Sequence, residues 1–160
     1  MNIASLYDKS NCREVVKSGE KANVLQAFED KPHNFDAWDI NIYYQEKMWE
    51  VNDVQSAAIV ETGSIRTAVR ISRKFCDSYI TQDISIYNDI PRIDFKTSID
   101  WKETQVLLKA AFPTDIHSDR ASYDIQFGNV ERPTHWNTSW DQAKFEVCAH
   151  KWADLSEDGY

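Results

Sequence analysis

Apolar and polar residues alternate along most of this chain in short runs. The clearest run is 79–87, where Ile80, Gln82, Ile84 and Ile86 fall on one side of an extended backbone. Tyr79, Thr81, Asp83, Ser85 and Tyr87 fall on the other. A period of two marks a strand with one face on a core. Residues 92–101 repeat the pattern, with Ile93, Phe95, Thr97 and Ile99 on one side. Between the two runs, Asn88-Asp89-Ile90-Pro91 carries turn chemistry. Residues 54–61 and 64–74 predict a hairpin around Thr62-Gly63. In its second arm Ile65, Thr67, Val69 and Ile71 share a face, and Arg66, Arg70 and Arg73 are expected to lie elsewhere.

Further strands are predicted at 3–9, 23–28, 105–112, 123–127, 130–134, 144–149 and 152–155. Helical periodicity is weak throughout. Strands at such regular spacing predict an all-β domain, a sandwich or a barrel, over residues 1–160. The ends read as strands without partners: 3–9 enters alone, and Ser156-Glu157-Asp158-Gly159-Tyr160 looks like a hairpin turn lacking its return strand. A sheet short of neighbours exposes its edges, so the pattern suggests an excised piece, with edges open to a homo-oligomer.

Two segments resist the strand reading. Residues 29–39 are rich in Asp, Asn, His and Pro, and 131–141 are dense in polar and aromatic side chains. Long loops on a rigid sheet are where function concentrates.

Composition narrows the field. Six Trp, seven Tyr and seven Phe favour sheet, and four Gly exclude a flexible linker. A formal net charge of -8, without a basic run, excludes a nucleic-acid partner. No apolar run reaches membrane-spanning length, and no leader is visible, so no membrane partner is expected. Cys12, Cys76 and Cys148 are widely spaced and odd in number, which suggests free thiols in a reducing, cytoplasmic setting. They read as buried or idle rather than nucleophilic. Asn137-Thr138-Ser139 matches a glycosylation sequon, a tripeptide common by chance.

Chemistry-bearing candidates are few. Asp36 and Asp39 stand three apart in the first loop, close to Glu29 and Asp30. Glycoside hydrolysis needs two carboxylates at a set separation, but an acidic chain supplies such pairs by accident. Solvation, turn capping and substrate contact all remain open for them. His33, His117, His135 and His150 lack the spacing of a metal helix, so no metal ligand is assigned. There is no GxSxG, no GxGxxG and no phosphate loop, so no nucleophile elbow or nucleotide site is indicated and no catalytic residue is assigned. The block Glu131-Arg132-Pro133-Thr134-His135-Trp136-Asn137-Thr138-Ser139-Trp140-Asp141 mixes indoles with hydrogen-bonding groups. Sugars are held by such mixtures: rings pack on the C–H face, and Asn, Asp and Arg bind hydroxyls. A purely structural loop explains the block equally well.

That block, with its continuation Gln142-Ala143-Lys144-Phe145-Glu146-Val147-Cys148-Ala149-His150 onward to Glu157, resembles the C-terminal region of glycoside hydrolase family 38 α-mannosidases, in their cytosolic and bacterial branch. Phe28-Glu29-Asp30-Lys31-Pro32, Asp36-Ala37-Trp38-Asp39-Ile40 and Ser5-Leu6-Tyr7-Asp8-Lys9 support the likeness, which covers essentially the whole chain. The resemblance implies an antiparallel β-sandwich of the galactose-mutarotase-like supersandwich type. It implies a retaining exo-α-mannosidase as the parent, acting on terminal α-mannosides with a divalent metal, often zinc. The family's nucleophile, general acid and metal ligands belong to an N-terminal domain, and none of those motifs matches here. This piece would partner the catalytic domain of the same polypeptide and help to close the mannose pocket. Trp38 would pack on the sugar, and Asp36 or Asp39 would accept from its hydroxyls. Arg132, His135, Asn137, Trp140 and Asp141 form a second candidate set. A free-standing carbohydrate-binding module and a docking domain without sugar contact are the competing readings.

Overall fold

The computed structural model describes residues 1–35 and 38–157. Its strands are β1 (Tyr7–Asp8), β2 (Arg13–Glu14), β3 (Val24–Glu29), β4 (Met48–Glu50), β5 (Asp53–Thr62) and β6 (Arg66–Phe75). They continue with β7 (Ser78–Tyr87), β8 (Ile93–Asp100), β9 (Val106–Ala111), β10 (Arg120–Ile125), β11 (Gly128–Pro133) and β12 (Ala153–Asp154). A 3-10 helix (Ile42–Glu46) and a single helical turn, α1 (Ser139–Gln142), complete the elements. The expected all-β class is what the chain adopts.

A meander of β5-β6-β7-β8 makes the larger sheet. Every pairing in it is antiparallel, and the β6–β7 register sets Ile71 opposite Gln82 and Val69 opposite Ile84. The smaller sheet, β4-β3-β9, lies against one end of its inner face. Leu25, Ala27, Val51 and Ile80 are buried between them, with Phe75, Trp101, Val106 and Leu108 packed around. Phe75 and Trp101 stack with ring centroids 5.9 Å apart. Burying such side chains contributes about 1.5–3 kcal/mol each, which makes this two-layer contact the main stabilising feature. A third sheet, β11-β10-β12, and the small β1-β2 pair flank the sandwich.

Alternation placed most of the larger sheet correctly, with two corrections: Ile65 lies just outside β6 and is exposed, and Arg73 is not on the outer face. Arg73 follows the parity of Val69 and Ile71 onto the inner face, opposite Ile80, and is fully buried. Its Nη1 donates to Gln82 Oε1 at 3.4 Å and its Nη2 to the Met1 carbonyl. Asn23 Nδ2 donates to the same Gln82 oxygen at 2.6 Å, and Gln82 Nε2 donates to Thr97 Oγ1 at 3.1 Å. Desolvation pushes the guanidinium below its ordinary pKa. A strand of period two cannot turn one charged residue outward, so neighbouring amides solvate it instead.

Other boundaries moved. The 3–9 strand does have a local partner: Tyr7 and Asp8 pair with Glu14 and Arg13, and Ile3 bridges to Ala22. Residues 144–149 form no strand. Lys144 N donates back to Asp141 O at 3.0 Å, and the segment then crosses the sandwich with its side chains turned toward other elements. Only Ala153 and Asp154 of the 152–155 run pair, and Asp158, Gly159 and Tyr160 of the terminal turn lie outside the described residues. All three cysteines are exposed and free, so they are not buried.

Candidate functional site

The first loop leaves β3 at Glu29 and ends in the 3-10 helix. Its root is electrostatic. Glu29 Oε2 accepts from Lys47 Nζ at 2.9 Å and Lys31 Nζ at 3.0 Å. The hydrogen bond from Lys47, then that from Lys31, holds the Glu29 carboxyl below its usual range. Asp30 N donates to Gln105 O at 2.9 Å, but its buried Oδ1 finds no partner among the described residues.

The Trp38 side chain stands exposed, the residue 85% accessible, and its backbone N–H donates to Phe35 O at 3.1 Å. An indole this bare gains nothing from core burial. Phe35 beside it has a φ of 60°, in the left-handed region that few side chains favour. Asp39 is exposed, and its Oδ1 accepts from Ile40 N at 2.8 Å, which is turn capping. Asn41 caps the 3-10 helix, accepting from Tyr43 N at 3.2 Å. Trp38, Asp39, His33 and Phe35 border an open cleft of about 440 Å³, within the range of small-ligand sites. Asp36 lies outside the described residues.

The second loop is built differently. Pro133 ends β11, and Thr134 N donates to Asp119 O at 3.0 Å. Thr138 then caps α1: Asp141 N donates to Thr138 Oγ1 at 3.2 Å, while Thr138 N donates to Asp141 Oδ2 at 3.2 Å. Thr138 Oγ1 donates to the same Asp141 oxygen at 2.7 Å. These bonds hold the Asp141 carboxyl below its usual range, the Thr138 side chain first among them. His135 Nδ1 accepts from Asn137 N at 3.4 Å and stands 3.8 Å from Asp141 Oδ2. So His135, Asn137 and Asp141 do come together, but around a capping box. Trp140 is 78% exposed on α1. Arg132 sits apart on β11, its guanidinium 5.8 Å from the Tyr123 ring centre and its buried Nε without a partner among the described residues.

None of those five residues borders the Trp38 cleft, yet the crossing segment beyond them does. Phe145 borders the cleft, with its ring 6.3 Å from that of Tyr44. Tyr44 is the buried residue of the 3-10 helix, set edge-on to Phe28 at 5.2 Å. Its hydroxyl donates to Glu146 Oε1 and accepts from Lys109 Nζ at 2.6 Å, and Lys109 also pairs with Glu146. Burial would lower the Lys109 pKa, but the bonds to Glu146 and Tyr44 outweigh it and raise the ammonium above its ordinary value. Sequence reading singled out neither Tyr44, Lys109, Phe145 nor Glu146. The available signal was Lys109, a lone charge amid the apolar run Val106-Leu107-Leu108 and Ala110-Ala111.

Among the described residues no three His, Cys, Asp or Glu side chains converge as metal ligands. A second cleft of about 590 Å³, between Leu6–Ser10 and Ile86–Ile93, lacks a comparable exposed indole.

Comparison with known proteins agrees with this picture. Residues 2–160 match the glycosyl hydrolases family 38 C-terminal domain. The chain is 42% identical over 161 residues to Alpha-mannosidase G of Dictyostelium discoideum, covering 97% of this chain and 15% of that protein. It is 36% identical over 160 residues to human Alpha-mannosidase 2C1, covering 99% of this chain and 15% of that one. Alpha-mannosidase of Saccharomyces cerevisiae is 37% identical over 144 residues, with 85% of this chain and 13% of that protein covered. The chain thus spans about 15% of the length of these relatives. With a sandwich for a frame and a match along nearly its full length, this chain belongs to glycosyl hydrolase family 38, within the C-terminal domain of that family.

Proposed function

We propose that this chain is the β-sandwich portion of a retaining exo-α-mannosidase and supplies one wall of the mannose pocket. The observation that carries the reading is Trp38: an indole 85% exposed beside Asp39 at the rim of a cleft. A flat aromatic face packs well on the C–H side of a hexose, and a carboxylate accepts from its hydroxyls. Asp36, two residues from Trp38, is the second acceptor in this reading. The names of the relatives, all alpha-mannosidases, support the substrate class. Bond cleavage and the divalent metal belong to the catalytic domain of the same polypeptide. Exposed, unpaired Cys12, Cys76 and Cys148 fit work in the reducing cytoplasm. No helix among the described residues is long and apolar enough to cross a membrane.

The test is Trp38→Ala in the full-length enzyme, assayed on an aryl α-mannoside. We expect kcat/KM to fall by about tenfold to a hundredfold, since about 1.4 kcal/mol of lost transition-state binding is one factor of ten. Unchanged kinetics in a folded variant would remove Trp38 from the pocket. Titrating the isolated chain with mannose separates this reading from a free-standing sugar module: strong binding by the piece alone would favour the module.

A further inference from the structure

We propose that Tyr44, Lys109 and Glu146 are positioning residues that lock Phe145 and the Trp38 loop into a single wall. The inference rests on the proposed role of Trp38 and adds the parts that hold it.

Three segments far apart in sequence meet at one carboxylate oxygen. Glu146 Oε1 takes both the Tyr44 hydroxyl and the Lys109 ammonium. Lys109 Nζ also lies 4.3 Å from the Tyr44 ring centre and 5.7 Å from that of Phe28, so it is held by charge, hydrogen bond and π face together. The side chains of Lys109 and Glu146 are 28% and 34% exposed, which limits screening by water.

The position of this clip is what matters. Tyr44 lies on the 3-10 helix that ends the Trp38 loop, and it is 6% exposed, so that helix cannot shift without moving it. Glu146 is covalently next to Phe145, which borders the Trp38 cleft. The backbone anchors of the crossing segment lie at its ends: Lys144 N donates to Asp141 O at 3.0 Å and His150 N to Asp124 O at 3.1 Å. Between those anchors Glu146 ties the segment to Lys109 of β9. Loss of the carboxylate charge frees Phe145 on one side and the end of the Trp38 loop on the other. A binding surface that is no longer preformed weakens ground-state binding more than the chemical step.

The test uses the full-length enzyme with Glu146→Gln, Trp38→Ala and the double variant. Glu146→Gln keeps the side-chain volume and is expected to raise KM about threefold to tenfold, with kcat within about twofold. Amide exchange should quicken in residues 38–46 and 144–148. In the Trp38→Ala background the Glu146→Gln effect on KM should shrink below about twofold, because acting through Trp38 makes the two changes non-additive. Unchanged exchange and KM in Glu146→Gln would overturn the clip, as would an equal rise of KM in both backgrounds. If Trp38→Ala alone leaves kinetics intact, the pocket reading fails instead, and the exchange data still judge the clip. Should Glu146→Gln unfold, Tyr44→Phe removes the hydroxyl, keeps the ring and faces the same readouts.

Discussion

The two long loops carry similar residues and do opposite things with them. Both mix indoles, carboxylates, Asn and His. In the first, Trp38 is bare beside a cleft, and the polar groups at its root anchor it to Lys47, Gln105 and the 3-10 helix. In the second, Thr138 and Asp141 satisfy each other as a cap for one helical turn, with His135 beside Asp141 and accepting from the Asn137 backbone N–H. A polar group already paired within its own loop has little left for a ligand, since a new partner must replace an existing bond. Residue type therefore discriminates poorly between a site and a brace. What separates the loops is place: Trp38 borders a cleft that none of the second-loop candidates reaches.

The largest expected effect would break or confirm that contrast outright. In the full-length enzyme Trp38→Ala should reduce kcat/KM at least about ten times more than Trp140→Ala, although both indoles are exposed. Equal losses would show that the second loop also meets substrate. Next in size is stability. Thr138→Ala removes the cap and should cost about 1 kcal/mol by urea unfolding of this chain, with mannosidase kinetics of the full enzyme unaltered. A kinetic defect without a stability defect would move the capping box into the site.

The smallest effect is pH dependence, and it sharpens the comparison at the two carboxylates. Lys47 and Lys31 depress Glu29, and Thr138 depresses Asp141. Each folded pKa lies below its unfolded value, so each stabilisation is complete above the unfolded pKa and is lost as pH falls through the folded one. Carboxyl-carbon NMR titration should place the Glu29 and Asp141 midpoints below those of ordinary Glu and Asp side chains. Added salt should raise the Glu29 midpoint more, because ammonium partners are screened and a hydroxyl donor is not. Ordinary midpoints for both would mean that neither loop root is formed as described.

Much of the fold was legible because it depends on period two. Ile80, Ile84, Ile93 and Phe95 reached their faces by alternation alone. Arg73 obeyed the same parity, but its charge argued for the surface, and the acceptors that solvate it, Gln82 Oε1 on β7 and the Met1 carbonyl, come from separate parts of the chain. Residues 144–149 alternate as well as a strand does, yet pair with no strand among the described residues, and Phe145 and Glu146 turn to Tyr44 and Lys109 instead. The one-turn α1 escaped notice because four residues carry no helical period. In the candidate site, Trp38 and Asp39 were legible from their motif, while Tyr44 and Glu146 were not: 102 residues separate them, and only folding makes them neighbours.

The sequence by itself determined the class of layers, the faces of the long strands, the two irregular loops and the family, since local alternation and long motifs survive without knowledge of contacts. Tertiary structure alone decided that Trp38 stands exposed beside a cleft while Thr138 and Asp141 cap a helical turn, where Arg73 goes, and that Phe145 meets the Trp38 cleft. Those outcomes depend on hydrogen bonds and ring contacts between distant segments, and no local pattern encodes such a partner.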